Sequence, residues 1–162
     1  PKNRETRAPL VLELIPHKHE IDPKYHFLCD APKQEIRVPF HVGDDHSRTW
    51  VLTRTAAGLR LKHDHRHEDG SPDAVTMYGG DTADAGTAQR QAFPVDAESV
   101  AMFGREGLKA SIQNTWAMEI EPGERFLYEL SRPGGRLFQV EFDLSRPVDL
   151  PPPPWGSEGG KP

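Results

Sequence analysis

From Leu59 to His67 the chain alternates without a break. Leu59, Leu61, His63, His65 and His67 fall on one face, and Arg60, Lys62, Asp64 and Arg66 fall on the other. A period of two is the mark of a half-buried β-strand, in which successive side chains point to opposite sides of a sheet. The two leucines identify the inward face, so the three histidines are expected to continue a row running from a core toward its mouth. The charged residues are expected to face solvent. A segment of this pattern fits a β-rich enclosure and does not fit a helix.

Flanking signals extend the pattern. Gly43-Asp44-Asp45-His46-Ser47 reads as a turn, Arg48 to Thr55 as a strand, and Ala56-Ala57-Gly58 as a hairpin loop. A register centred on Ala57 places Val51 opposite His63 and Thr49 opposite His65. Thr49, Val51 and Thr53 would then share the histidine face, with Trp50 and Leu52 on the opposite one. A slip of one residue inverts this assignment.

Earlier strands are expected at Leu10–Ile15, Tyr25–Cys29 and Glu35–Val42, the last marked by Pro39 as an edge or a bulge. Further strands are expected at Ala74–Tyr78 and Thr87–Phe93, with Met77-Tyr78-Gly79-Gly80 read as a strand end with a glycine kink. One short helix is expected from Asp96, as N-cap, to Phe103, with Gly104 as the stop. Trp116/Met118/Ile120, Phe126/Tyr128/Leu130 and Phe138/Val140/Phe142/Leu144 are three alternating apolar rows joined by Pro-Gly and Gly-Gly turns, which defines an antiparallel meander. The expected fold is therefore all-β: a single antiparallel β-barrel, a lipocalin-like meander with one short helix, over residues 1–148. Residues 149–162 form a Pro/Gly-rich tail, expected to be extended and loosely docked or disordered.

The composition agrees. The 162 residues hold 14 Gly and 16 Pro with 35% hydrophobic content, which suits one loop-rich β domain. A net charge of −5 supplies no basic face for nucleic acid, and no apolar run reaches the roughly 18 residues a spanning helix needs. Cys29 stands alone, so no intrachain disulfide is available; it reads as a core or strand residue. The start, Pro1-Lys2-Asn3-Arg4-Glu5, is neither a signal peptide nor an initiator methionine, and the expectation is a chain that follows a removed leader or a segment boundary.

All eight histidines, at 17, 19, 26, 41, 46, 63, 65 and 67, precede residue 68. His17/His19 and His63/His65 are His-x-His pairs. Residues i and i+2 on a strand stand about 6.8 Å apart, close enough for two imidazoles to converge on one ion, whereas three successive positions span about 13.6 Å. A metal site, with zinc foremost, would draw on His63, His65, His17, His19 and Glu68; His41, Asp69 and Asp73 are further third-ligand candidates. A metal-free ligand pocket would be lined by His63, His65, His67 and Tyr78. Histidines beside Asp64, Glu68 and Asp69 can also simply be hydrogen-bonded in a turn. No nucleophile elbow, phosphate loop or paired-cysteine motif is present. Three functions remain: a protein binding a small molecule or a metal ion in a histidine-lined interior, a metal-dependent hydrolase using the same residues, or a structural exported domain without a site.

Two resemblances bear on these. Gly58, His63, His65 and Glu68 resemble the Gly-led His-x-His motif of cupins, but four residues separate Gly58 from His63, two separate His65 from Glu68, and no second His motif follows. Those departures weigh against a cupin dioxygenase or isomerase. His63-Asp64-His65-Arg66-His67-Glu68-Asp69-Gly70, Met77-Tyr78-Gly79-Gly80 and the closing Phe138–Leu144 strand resemble an uncharacterised family of bacterial exported β-barrel proteins. That resemblance implies a periplasmic or secreted location and carries no function.

Overall fold

Among residues 35–157, the part of the chain that the computed structural model describes, the strands form two antiparallel meanders, and within each every strand pairs with the next in sequence. Strands β1 (Glu35–Val42), β2 (Asp45–Arg54), β3 (Leu59–His65) and β4 (Tyr78–Asp81) form one four-stranded sheet; β5 (Arg90–Pro94), β6 (Thr115–Glu121), β7 (Arg125–Arg132) and β8 (Arg136–Asp143) form the second. Among the described residues no ladder joins β4 to β5 or β8 to β1. Helix α1 (Ala97–Arg105) and a 3-10 turn (Lys109–Gln113) lie between β5 and β6. The strands expected at 10–15 and 25–29, and with them His17, His19, His26 and Cys29, lie outside the described residues. Pro39 sits on β1, the outermost strand of its sheet among the described residues, a place where proline is tolerated.

The meander of β6, β7 and β8 follows its apolar rows. Trp116 pairs with Leu130, Met118 with Tyr128, Ile120 with Phe126, and these in turn with Phe138, Val140 and Phe142. From the other sheet Val38, Trp50 and Leu61 pack into the same core. Trp50 is its centre: its ring stacks on Tyr128 at 4.3 Å and on Phe40 at 4.8 Å. Such aromatic pairs contribute about 0.5–1.5 kcal/mol beyond their buried area.

The β2–β3 register is one residue away from the arrangement expected above. Trp50 pairs with His63, Arg48 with His65 and Leu52 with Leu61. The histidine face therefore carries Arg48, Trp50 and Leu52, while Thr49, Val51 and Thr53 take the other face. Packing decides the register, since the indole must reach the second sheet and only this alignment puts it beside Leu61 and His63. The outward face of β3 is also not a solvent face throughout. Lys62 and Asp64 are both buried, Lys62 under the start of α1 and Asp64 beneath Arg66, whose Nε donates to it at 2.8 Å.

Two glycines let β4 run close to β3 of its own sheet and to β5 of the other. A Cβ on Gly79 would stand 1.8 Å from the Leu61 carbonyl oxygen, and one on Gly80 would stand 1.7 Å from that of Pro94. Only glycine permits backbones this close. The Asp96 amide then donates to the Gly79 carbonyl at 2.9 Å, and the Gly79 amide donates to the buried Ser99 hydroxyl at 2.8 Å. The glycine pair is thus the seam between β4 and the β5–α1 connection. Strand β4 begins at Tyr78 rather than Ala74, and β5 begins at Arg90 rather than Thr87. The chain before each is held by turn bonds, including Asp73 N–H to the His65 carbonyl at 3.0 Å.

Asp96 is the N-cap of α1, its carboxylate accepting the Ser99 amide at 2.8 Å. The helix runs past Gly104, which has ordinary helical freedom, and ends at Glu106 before Gly107 at φ +73°. Lys62 Nζ reaches Asp96 at 2.8 Å and Glu98 at 2.9 Å. Burial pushes the ammonium down, but these two bonds outweigh it and hold its pKa above the ordinary lysine value. Removing Asp96 deletes both the cap and one partner of a buried charge. Asp96→Ala is expected to lose about 2 kcal/mol in urea unfolding, and Asp96→Asn, which keeps the cap, a smaller amount. Equal losses would show that the cap contributes nothing.

Candidate histidine–tyrosine site

The inward row of β3 carries Leu61, His63 and His65 toward the end of the strand. His63 is buried at 3% exposure. Its ring lies against Tyr78 with centroids 4.7 Å apart and planes 12° from parallel, and 5.0 Å from the Trp116 ring. Both ring nitrogens are engaged. Nδ1 is 3.1 Å from the Tyr78 carbonyl oxygen and Nε2 is 2.8 Å from the Tyr128 hydroxyl. A carbonyl can only accept, so Nδ1 carries the proton; Nε2 is then a bare acceptor and Tyr128 donates to it. Burial pushes His63 down to about 3, so the ring is neutral at physiological pH. The same burial raises Tyr128 well above the usual tyrosine value.

His65 continues the row outward and is half-buried. Its Nε2 lies 3.1 Å from the Tyr78 hydroxyl, and its backbone amide donates to Thr76 Oγ1 at 2.8 Å. Burial and then the facing Arg48 guanidinium lower its pKa below the ordinary value. Burial pushes the Tyr78 phenol up to about 12. Tyr78 thus touches both histidines: it accepts from His63 through its main chain and meets His65 through its hydroxyl. The residue before it, Met77, has φ +55°, the one positive value outside glycine among the described residues. Its amide donates to the His63 carbonyl at 2.7 Å, which fixes the entry into β4 and hence the Tyr78 ring. Backbone strain of this kind costs on the order of 1–3 kcal/mol and persists where surrounding bonds enforce it.

His67 and Glu68 do not continue the row. β3 ends at His65 because the chain turns at Asp69-Gly70: Gly70 N–H donates to the His67 carbonyl at 2.9 Å, and Gly70 has φ +83°. His67 and Glu68 are exposed at this turn, and His67 Nε2 stands 3.9 Å from Asp73. Of the residues considered for a metal, His63 and His65 share the interior face and Glu68 lies apart from them. Among the described residues no group of three His, Cys, Asp or Glu side chains gathers about a point.

Three contributors were missed by reasoning from sequence: Arg48 and Trp50, through the register, and Tyr128. Tyr128 had a readable signal. It is the one hydroxyl in the otherwise apolar Phe126/Leu130 row, and a buried phenol needs a partner.

The tail is docked through residue 157. Trp155 N–H donates to the His46 carbonyl at 3.0 Å, and the His41 Nε2 lies 3.0 Å from the Pro152 carbonyl oxygen. Gly156 lies against Gly70, each close enough that a Cβ on Gly70 would stand 3.0 Å from the Gly156 Cα.

No family model matches the chain, and no solved structure matches it. A stretch of 35 residues is 77% identical to part of DNA topoisomerase 1 of Pseudomonas aeruginosa, which accounts for 22% of this chain and 4% of that protein. The chain therefore matches only a small fraction of that protein's length. No helix among the described residues is long and apolar enough to cross a membrane.

Proposed function

We propose that the chain is a small-molecule-binding β domain of lipocalin-like plan, its two sheets enclosing one core, with the ligand seated at the outer end of the histidine row. The observation that supports this reading is the division of labour along that row. His63 has both nitrogens engaged, so the inner end is saturated. At the outer end the His65–Tyr78 hydroxyl pair is half-buried beside Arg48, and His65 Nδ1 has no hydrogen bond among the described residues. A ligand there would meet an imidazole, a phenol and the Arg48 guanidinium, whose Nη1 is already held by Asp45 at 2.6 Å, and these together suit an organic carboxylate. The net charge of −5 favours a small molecule over nucleic acid. A hydrolase built on a His63/His65 metal is less well supported, because coordination at His63 would break a bond to Tyr78 or to Tyr128.

The test is a screen of small aliphatic and aromatic carboxylic acids by amide chemical shifts of the labelled protein. The expected hits move Arg48, His65 and Tyr78 together, and Tyr78→Phe weakens them about tenfold, the cost of roughly one hydrogen bond to a charged group. A library with no saturable hits, or hits indifferent to Tyr78→Phe and His65→Gln, would contradict the assignment.

A further inference from the structure

A second histidine pair lies away from this row, at the β1–β2 hairpin. His41 and His46 flank the turn with ring centroids 4.3 Å apart. His41 Nε2 must carry a proton, because its partner is the Pro152 carbonyl oxygen, which can only accept. In the neutral ring this leaves Nδ1 as a bare lone pair, and that atom is buried without any hydrogen-bond partner. A buried acceptor left empty is costly and rare. The tautomer is also the one that metal-ligating histidines adopt, with the far N–H held by a backbone carbonyl and the near nitrogen open.

We infer that His41 Nδ1 and the His46 imidazole form a binding site for a borderline divalent transition-metal ion such as zinc or copper. Imidazole is the ligand these ions prefer among uncharged side chains. Among the described residues no third His, Cys, Asp or Glu completes a cage, so the two imidazoles would be the ion's protein ligands and solvent would have to supply the others. Its outer wall is the C-terminal tail. Pro152 holds His41 from behind, Trp155 is bonded to the His46 main chain, and its indole centroid lies 6.3 Å from the His46 ring. An ion held between the two imidazoles would therefore fix the tail against the hairpin. This site shares no residue with the His65–Tyr78 site, and the two stand or fall separately.

Trp155 provides the readout, since copper(II) quenches indole fluorescence at short range. The full chain, its Trp155→Phe variant, and His41→Gln and His46→Gln variants are titrated with copper(II). The Trp155 component is the difference between parent and Trp155→Phe, which removes any quenching of Trp50 and Trp116. Near-ultraviolet circular dichroism confirms that each variant is folded; both histidines lie at the hairpin end, half-exposed. The expected result is saturable quenching of Trp155, reversed by a chelator such as EDTA, with a midpoint raised at least about tenfold in each histidine variant. Absence of saturable quenching, or a midpoint that moves in neither variant or in only one, overturns the two-imidazole site.

Discussion

His63→Ala is expected to destabilise the fold by about 3–5 kcal/mol, the range for removing a large buried ring. Two effects combine. The lost imidazole leaves a void between Tyr78 and Trp116, and the Tyr128 hydroxyl and Tyr78 carbonyl lose their shared partner. Each orphaned buried group adds about 1–3 kcal/mol. A loss of this size should lower the melting temperature by roughly 10 °C or more. The pair can be separated by a double-mutant cycle, because Tyr128→Phe removes the hydroxyl that His63→Ala orphans. His63→Ala/Tyr128→Phe should cost about 1–2 kcal/mol less than the sum of the single variants. Additive losses would mean that the 2.8 Å contact between the ring and the hydroxyl contributes no energy.

Acid should weaken the fold through the same residue. Burial lowers His63 from the ordinary value of 6.5 to about 3, so between those values the unfolded chain binds one proton that the folded chain refuses. Stability from a depressed group is present above the unfolded pKa and is lost as pH falls toward the folded one. The slope is about 1.4 kcal/mol per pH unit, so roughly 3 kcal/mol disappears between pH 6.5 and 4. His65 is shifted in the same direction and adds to the loss. Urea unfolding at pH 7.5 and 4.5 should show a drop in the parent that His63→Gln lacks in large part. Parallel losses in the two proteins would contradict a neutral, buried His63.

The strands were legible where one face of a hairpin is apolar and the turn is marked. β6, β7 and β8 follow directly from Trp116/Met118/Ile120 and the rows after them, and Asp96 announced the helix. What escaped was what depends on contacts between sheets. The β2–β3 register turned on whether Trp50 or Val51 faces His63, and the hairpin loop alone leaves that choice open; the second sheet decides it by accepting the indole. Lys62 and Asp64 looked like solvent residues because their cover comes from Asp96 on the α1 cap and from Arg66 beyond the strand end. The histidine row was read correctly as far as His65 and too far by His67, since alternation in the sequence continues into the turn that the Gly70 N–H closes on the His67 carbonyl. Tyr78 was picked out, but its double contact with both histidines rests on the left-handed Met77, and no local signal marks a methionine for that conformation.

The most direct test is the tautomer and titration of the two imidazoles, read from long-range proton–nitrogen correlations between pH 8 and pH 4. The division of the row into a fixed inner ring and an accessible outer one requires His63 to show protonated Nδ1 and bare Nε2, and to hold that form down to about pH 4. His65 should titrate below the ordinary histidine value. A His63 that titrates near 6.5, or carries its proton on Nε2, would contradict the buried Tyr128–His63–Tyr78 arrangement on which the proposed site rests.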